Sequence, residues 1–418
     1  MNSTRTVANP SYRIVVILVS IYLILVANGA MFFLVVALKD IAQDFDWPRS
    51  VPSIAYSCQF IGTGIGGILM GYWYDRSGVG PVTLLGIVMI GSGAIFGSMI
   101  GAEWELYLIY GVMMGLFGQA AIFAPLVINV MRWFEHRRAF AVGLVTAGQS
   151  IAGVIWPPIF RHFNDTVGWR DSFFWFGVFA LVTALPLCML LWRRVPGDTP
   201  AAASASAERE ATASGPKPLT DLGVPAWMLQ MILCFAIVGC CVAMSMPLGH
   251  LVAHASDLGH ATTRAAEMLS LALAATLVVR LTAGTLIVDR YGGLVGLLVF
   301  SSTQAAALAL YAMVDGLLAL YLVSVLFGLG YGGINLCYPV IVRRYLPTAE
   351  TGRRLGLVFL FGAAGMALGG WSAGAVFDWV GTYKPAFWLG FAFNLANLIV
   401  VMTLISRRRR GRLEPAMA

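Results

Sequence analysis

The sequence is poor in charge. Only 11% of its 418 residues are Asp, Glu, Lys or Arg, too few to solvate the surface of a soluble chain of this length. Histidine is scarce at five, and the six cysteines (Cys58, Cys188, Cys234, Cys240, Cys241 and Cys337) fall inside apolar runs at spacings that fit neither disulfides nor a metal site. They read as small apolar packers. No G-x-x-x-x-G-K-[ST] sequence, metal-ligand cluster or attached soluble domain is seen, which argues against an ATP-driven pump or a membrane enzyme. No metal and no cofactor are expected.

What the chain has in abundance is apolar length. Hydrophobic residues make up 59% of it, and the mean hydropathy is +0.80. About 20 apolar residues cross a bilayer as a helix. The hydrophobic windows divide into twelve such runs, near 14–38, 51–74, 81–102, 106–131, 140–159, 172–192, 227–252, 268–288, 294–313, 317–342, 355–377 and 387–405. The expectation is an all-α polytopic membrane protein with twelve transmembrane helices. The first run is too long for a signal-peptide core and should be retained. Residues 193–225, rich in Ala, Ser and Pro with no apolar period, read as a cytoplasmic linker between residues 1–192 and 226–418.

Basic residues gather on the cytoplasmic side of membrane proteins. With both termini cytoplasmic, twenty of the 27 Lys and Arg lie on that side and six on the other: Lys39, Arg49, Arg161, Arg170, Arg264 and Lys384. The net charge of +7 therefore speaks of topology and anionic lipid rather than of nucleic acid. One basic residue fits neither side.

That residue is Arg280. It is thirteenth in the 21-residue run 268–288 and the only ionisable side chain in it. A centred arginine costs roughly 2.5–3.5 kcal/mol on insertion scales unless it meets water, a partner or an anion. Its planar donors match a carboxylate fork to fork. An arginine paired internally or capped by carbonyls, with no ligand, is the other reading.

A shift of 214 residues pairs Asp75-Arg76-Ser77-Gly78 with Asp289-Arg290-Tyr291-Gly292, Gly118 with Gly332, and Pro125 with Pro339. Two pseudo-symmetric six-helix halves explain this most simply. The same shift sets Gly66 opposite Arg280, so the intramembrane charge belongs to one half only.

These residues resemble the major facilitator superfamily, whose loop after span 2 carries G-x-x-x-D-R-x-G, here Gly71, Asp75, Arg76 and Gly78. Three further stretches are similar to the monocarboxylate transporter branch and its bacterial oxalate/formate-type relatives. They are RWFEHRRAFAVGLVTAGQSIAG from Arg132, the set Arg280, Gly284, Asp289, Arg290 and Gly292, and HLVAHASDLG from His250. The resemblance implies that Arg280 binds a substrate carboxylate. Two departures bear on coupling. An aspartate that many proton-coupled animal members carry one turn before the arginine is Thr276 here, and their span 1 lysine falls near Phe32. No second cation lies between Arg354 and Asp378 in span 11, which suits one carboxylate rather than two.

A central cavity between the halves would be lined by spans 1, 4, 5, 7, 8, 10 and 11. Near midspan, Tyr331 and its repeat partner Phe117 are candidates for facing aromatic walls. Asn28, Gln119, Gln149 and Asn335 are candidate hydrogen-bonding groups, and Thr276 shares the Arg280 face. Each amide serves equally well as a contact between helices. His250, His254 and Asp257 share a face if the helix continues past Pro247, and are candidate proton sites or gate residues. Asp75, Arg76, Asp289 and Arg290 are expected to gate.

The expected function is secondary transport of a small monocarboxylate such as lactate or pyruvate, by alternating access and with a proton. An organic-anion exchanger or uniporter, a drug/proton antiporter and a non-transporting anion receptor are the alternatives. A monomer in the plasma membrane, the inner membrane of a bacterium, is expected.

Overall fold

The computed structural model of the chain describes residues 10–134, 138–192, 223–346 and 351–413. Among the described residues twelve helices follow one another, each long because an apolar backbone in a membrane must satisfy its own N–H and C=O groups. The first six are α1 (Pro10–Asp44), α2 (Ser50–Ser77), α3 (Val79–Gly97), α4 (Glu103–Trp133), α5 (Arg138–Val167) and α6 (Trp169–Leu190). The last six are α7 (Ala226–Asp257), α8 (Thr262–Leu281 continued by Ala283–Tyr291), α9 (Gly293–Met313), α10 (Leu317–Tyr345), α11 (Thr351–Val380) and α12 (Lys384–Leu413). Eleven of them are long and apolar enough to cross a membrane on composition alone. The exception is α8, which carries Arg264, Glu267 and Arg280 and is broken at Thr282. Most of the linker expected at 193–225 lies outside the described residues.

The closest helix pairings recur six helices on. α1 packs on α5 as α7 packs on α11, α2 on α4 as α8 on α10, and α3 on α6 as α9 on α12. Across the two sets α2 lies against α11, and α8, its counterpart, lies against α5. The repeated D-R-x-G motif has a local cause. Gly78 (φ 83) and Gly292 (φ 87) end α2 and α8 in a conformation L side chains rarely adopt, and each N–H returns to a helical carbonyl, of Tyr74 at 2.8 Å and of Val288 at 2.9 Å. The next helix then starts one residue later.

Backbone contact between helices rests on small residues. A Cβ at Gly62 would lie 2.0 Å from the Gly111 carbonyl oxygen, and one at Gly66 would lie 2.2 Å from that of Leu116. Here α2 touches the part of α4, Ile109–Gln119, that is wound as a π-helix. The position that pairs with Arg280 in the repeat is thus filled by backbone, which is why only one half carries a charge there.

The turns α1–α2, α7–α8 and α11–α12 meet at the end of the bundle remote from the start of α1. Arg49, on the first turn, sends both terminal nitrogens to Asp257, with Nη2 2.8 Å from Oδ1, and lies 3.8 Å above the Phe377 ring. Lys39 reaches Asp257 at 3.1 Å. The backbone N–H groups of Arg49 and Ser50 both donate to Asp378 at 2.9 Å, so a carboxylate of α11 caps the start of α2. Just below, Ser57 donates to the Ala367 carbonyl at 2.6 Å, and a Cβ at Gly374 would meet the Ser53 hydroxyl at 2.3 Å. The first and last six helices are closed on each other at this end.

Candidate substrate site

Two of the central helices are irregular where they pass the middle of the bundle. In α4 the π-helical stretch ends at Gln119. In α8 the backbone leaves the helix at Thr282 (φ −131, ψ −90), so Arg280 sits in the last turn of its helical segment. A helix C-terminus concentrates carbonyl oxygens and favours a cation, which offsets part of the cost of placing arginine at this depth. Irregular backbone inside a membrane is tolerated where it lines a cavity.

A cavity of about 140 Å³ lies at this point. From the first six helices it is lined by Asn28, Met31 and Phe32 of α1, Gln59, Phe60 and Thr63 of α2, Gln119 and Phe123 of α4, and Gln149 and Ser150 of α5. From the last six come Leu248, Leu273, Arg280, Tyr331 and Met366. Arg280 is 9% exposed, its Nη1 donates to the Thr146 carbonyl at 3.4 Å, and its guanidinium carbon is 5.5 Å from the centre of the Tyr331 ring. Tyr331 stacks parallel on Phe327 at 6.1 Å. No carboxylate lies among the described lining residues. The site therefore presents one cation, several amides and aromatic walls, a set that attracts a single small anion.

Five of the residues singled out from the sequence meet in this cavity: Asn28, Gln119, Gln149, Arg280 and Tyr331. Three others do not line it. Thr276 is fully buried, and its hydroxyl donates to the Gly328 and Ala272 carbonyls at 3.0 and 3.1 Å, fastening α8 to α10. Phe117 lies on the π-helical stretch, whose wider winding turns side chains away from the α-helical register. The aromatic wall of the first half is Phe32, Phe60 and Phe123 instead. Asn335, one turn beyond Tyr331 on α10, is partly exposed away from the lining.

Sequence reasoning missed α2 altogether. Gln59 and Thr63 stand out as polar residues in an apolar run, but nothing in a linear pattern says that α2 crosses the cavity on its way to α11. It also missed Ser150, beside Gln149.

The His250, His254 and Asp257 group is continuous with the helix, since α7 runs through Pro247 to Asp257. Its members have different surroundings. Asp257 is held by Arg49 and Lys39. His250 is buried, with Nε2 2.9 Å from the Gly370 carbonyl oxygen and its ring 5.1 Å from Tyr383. His254 is buried edge-on to Phe387. One ring nitrogen of each, Nδ1 of His250 and Nε2 of His254, has no hydrogen-bond partner among the described residues.

At the opposite end, Asp75 is 3.7 Å from Arg132, Arg76 lies on the Tyr72 ring and Arg290 lies 5.5 Å from that of Tyr291. Each contact stays within its own six helices. Arg137 lies outside the described residues, and the side chains of Asp289 and Arg138 are likewise not described.

A sequence model of the Major Facilitator Superfamily matches residues 18–369. Among curated sequences, Monocarboxylate transporter 13 of Rattus norvegicus is 28% identical over 377 residues, covering 88% of this chain and 82% of the rat protein. Monocarboxylate transporter 3 of Rattus norvegicus is 28% identical over 337 residues, covering 78% of this chain and 66% of its own. Among solved structures, a POT family transporter in complex with a thioalcohol-conjugated peptide superposes with a TM-score of 0.75 at 14% identity, over 95% of this chain and 96% of its own. A point mutant of the nucleoside transporter NupG gives 0.69 at 11% identity, over 94% and 99%. The chain is an integral membrane transporter of the Major Facilitator Superfamily, and the curated relatives it resembles include monocarboxylate transporters.

Proposed function

We propose that this transporter carries a small monocarboxylate across the membrane by alternating access, with Arg280 as the carboxylate receptor. The observation that carries the reading is the pairing of one buried guanidinium, without a carboxylate partner among the described residues, with a cavity of about 140 Å³. An apolar cavity of about 150 Å³ holds benzene, a six-heavy-atom ligand. Lactate and pyruvate are of that size, so a drug-sized or peptide substrate does not suit the cavity. A cation or drug/proton antiporter would want an acidic residue at this depth, and the described lining offers none.

In this reading both termini are cytoplasmic, the chain works as a monomer in the inner membrane of a bacterium, and the Arg49–Asp257 end is the outer gate, here shut. The anion enters or leaves on the inner side. Asp75, Arg76, Asp289 and Arg290 act there when the halves rock to open the outer gate. A proton travels with the anion, with His250 and His254 as its carriers and Asp257 serving the gate. The unpartnered ring nitrogens of the two histidines support this assignment. The test is uptake of labelled lactate into proteoliposomes under an imposed proton gradient. Accumulation that collapses with a protonophore is expected, and uptake no greater than in protein-free vesicles overturns the proposal.

A further inference from the structure

The cavity is chemically divided. Its last-half wall is one cation, one phenol and aliphatic groups, whereas every amide and aliphatic hydroxyl in the described lining comes from the first half. Two of those polar groups are already satisfied locally: Asn28 Nδ2 donates to the Ile24 carbonyl at 2.8 Å, and the Thr63 hydroxyl donates to that of Gln59 at 2.7 Å. Three others are not. Gln59 Oε1, Gln119 Oε1 and Ser150 Oγ are buried and have no hydrogen-bond partner among the described residues. Gln59 is 3% exposed and Ser150 1%. Leaving such a group unmade costs about 1–3 kcal/mol, and three together on one cavity wall call for a common partner.

We propose that Gln59, Gln119 and Ser150 form a second anchoring point, which binds a hydroxyl on the carbon next to the substrate carboxylate and makes the carrier selective for 2-hydroxy acids over plain alkyl acids. The inference rests on the monocarboxylate reading of Arg280. A hydroxyl both donates and accepts, so it can give its hydrogen to an amide oxygen and take one from the serine. A 2-oxo group only accepts, and a methylene does neither. Because the carboxylate is held by the last six helices and the hydroxyl by the first six, a hydroxy acid ties the two halves together. An alkyl acid of the same length touches only one with polar bonds.

The test uses lactate and propionate, which share a carbon skeleton and differ by the hydroxyl. Counterflow of labelled propionate is followed in proteoliposomes of the wild type, of Ser150→Ala and of the double variant Gln59→Leu, Gln119→Leu. In the wild type unlabelled lactate is expected to compete at least about tenfold more tightly than unlabelled propionate. In the double variant that ratio falls toward one, and a monodisperse elution profile and thermal midpoint like those of the wild type show that the protein folds. Ser150→Ala lowers the ratio in part, and gives the answer should the double variant prove unstable. A wild-type ratio near one, or a ratio the substitutions leave unchanged, overturns the second anchor while Arg280 keeps its role. If the wild type moves neither acid, the carboxylate reading fails and this inference falls with it.

Discussion

Arg49 and Asp257, 208 residues apart in the sequence, are joined through both terminal guanidinium nitrogens across the line where the two sets of six helices meet. Lys39 approaches the same carboxylate, and Tyr383 accepts from Arg49 Nη1 at 3.2 Å. Burial alone would lower the Arg49 guanidinium. The hydrogen bond to Asp257 and the presence of Tyr383 outweigh it and hold the group above its ordinary value, so titration of Arg49 does not open this contact.

Arg49→Gln is expected to weaken the closed state by about 1–3 kcal/mol, because among the described residues Asp257 then keeps only Lys39 as an ion-pair partner. Spin labels placed at the Arg49 end of α2 and the Asp378 end of α11 should show a longer distance distribution in the variant. The exchanged pair Arg49→Asp, Asp257→Arg should restore the short one. An unchanged distribution in Arg49→Gln would mean that the pair does not hold the gate.

His250 and His254 give a prediction that separates coupling from binding. In His250→Asn and His254→Asn, exchange of labelled for unlabelled lactate should persist, since neither residue lines the cavity. Accumulation driven by an imposed proton gradient should be lost in one or both. Equal loss of exchange and accumulation would place these histidines in structure rather than in proton transfer.

Two neighbouring glycines of α2 should behave oppositely. A methyl group at Gly62 would lie 2.0 Å from a backbone oxygen of α4, while nothing lies within 4 Å of one at Gly67. Gly62→Ala should lower the thermal midpoint and the folded yield, at a cost of about 1–3 kcal/mol from overpacking. Gly67→Ala should be neutral. Equal behaviour of the two would contradict the close contact of α2 with the π-helical part of α4.

These pairs also mark what was legible in the sequence. Arg280, Tyr331, Gln119, Gln149 and Asn28 could be picked out because a polar or aromatic group in a long apolar run is a local anomaly, and twelve such runs are a matter of length. Arg49 carries no such signal. It sits in a polar turn, where an arginine is ordinary, and its role arises only when α7 and α11 are brought beside α2. The π-helical stretch and the break at Thr282 were hidden for a related reason, since no proline lies within either to mark an irregular backbone. Phe117 shows the consequence. Repeat symmetry placed it opposite Tyr331, and the altered winding of α4 carried it off the cavity.

The central claim is that Arg280 receives the substrate carboxylate, and counterflow of labelled lactate tests it most directly. Wild type, Arg280→Lys and Arg280→Gln are reconstituted at equal amounts of folded protein, with unlabelled acids and an uncharged amide analogue as competitors. The wild type should accumulate label, acids but not the amide should compete, and Arg280→Gln should fall to the level of empty vesicles. Arg280→Lys should retain a small fraction, because a point charge replaces the two-pronged fork. Lactate counterflow in Arg280→Gln equal to that of the wild type would contradict the claim and return the arginine to a structural role.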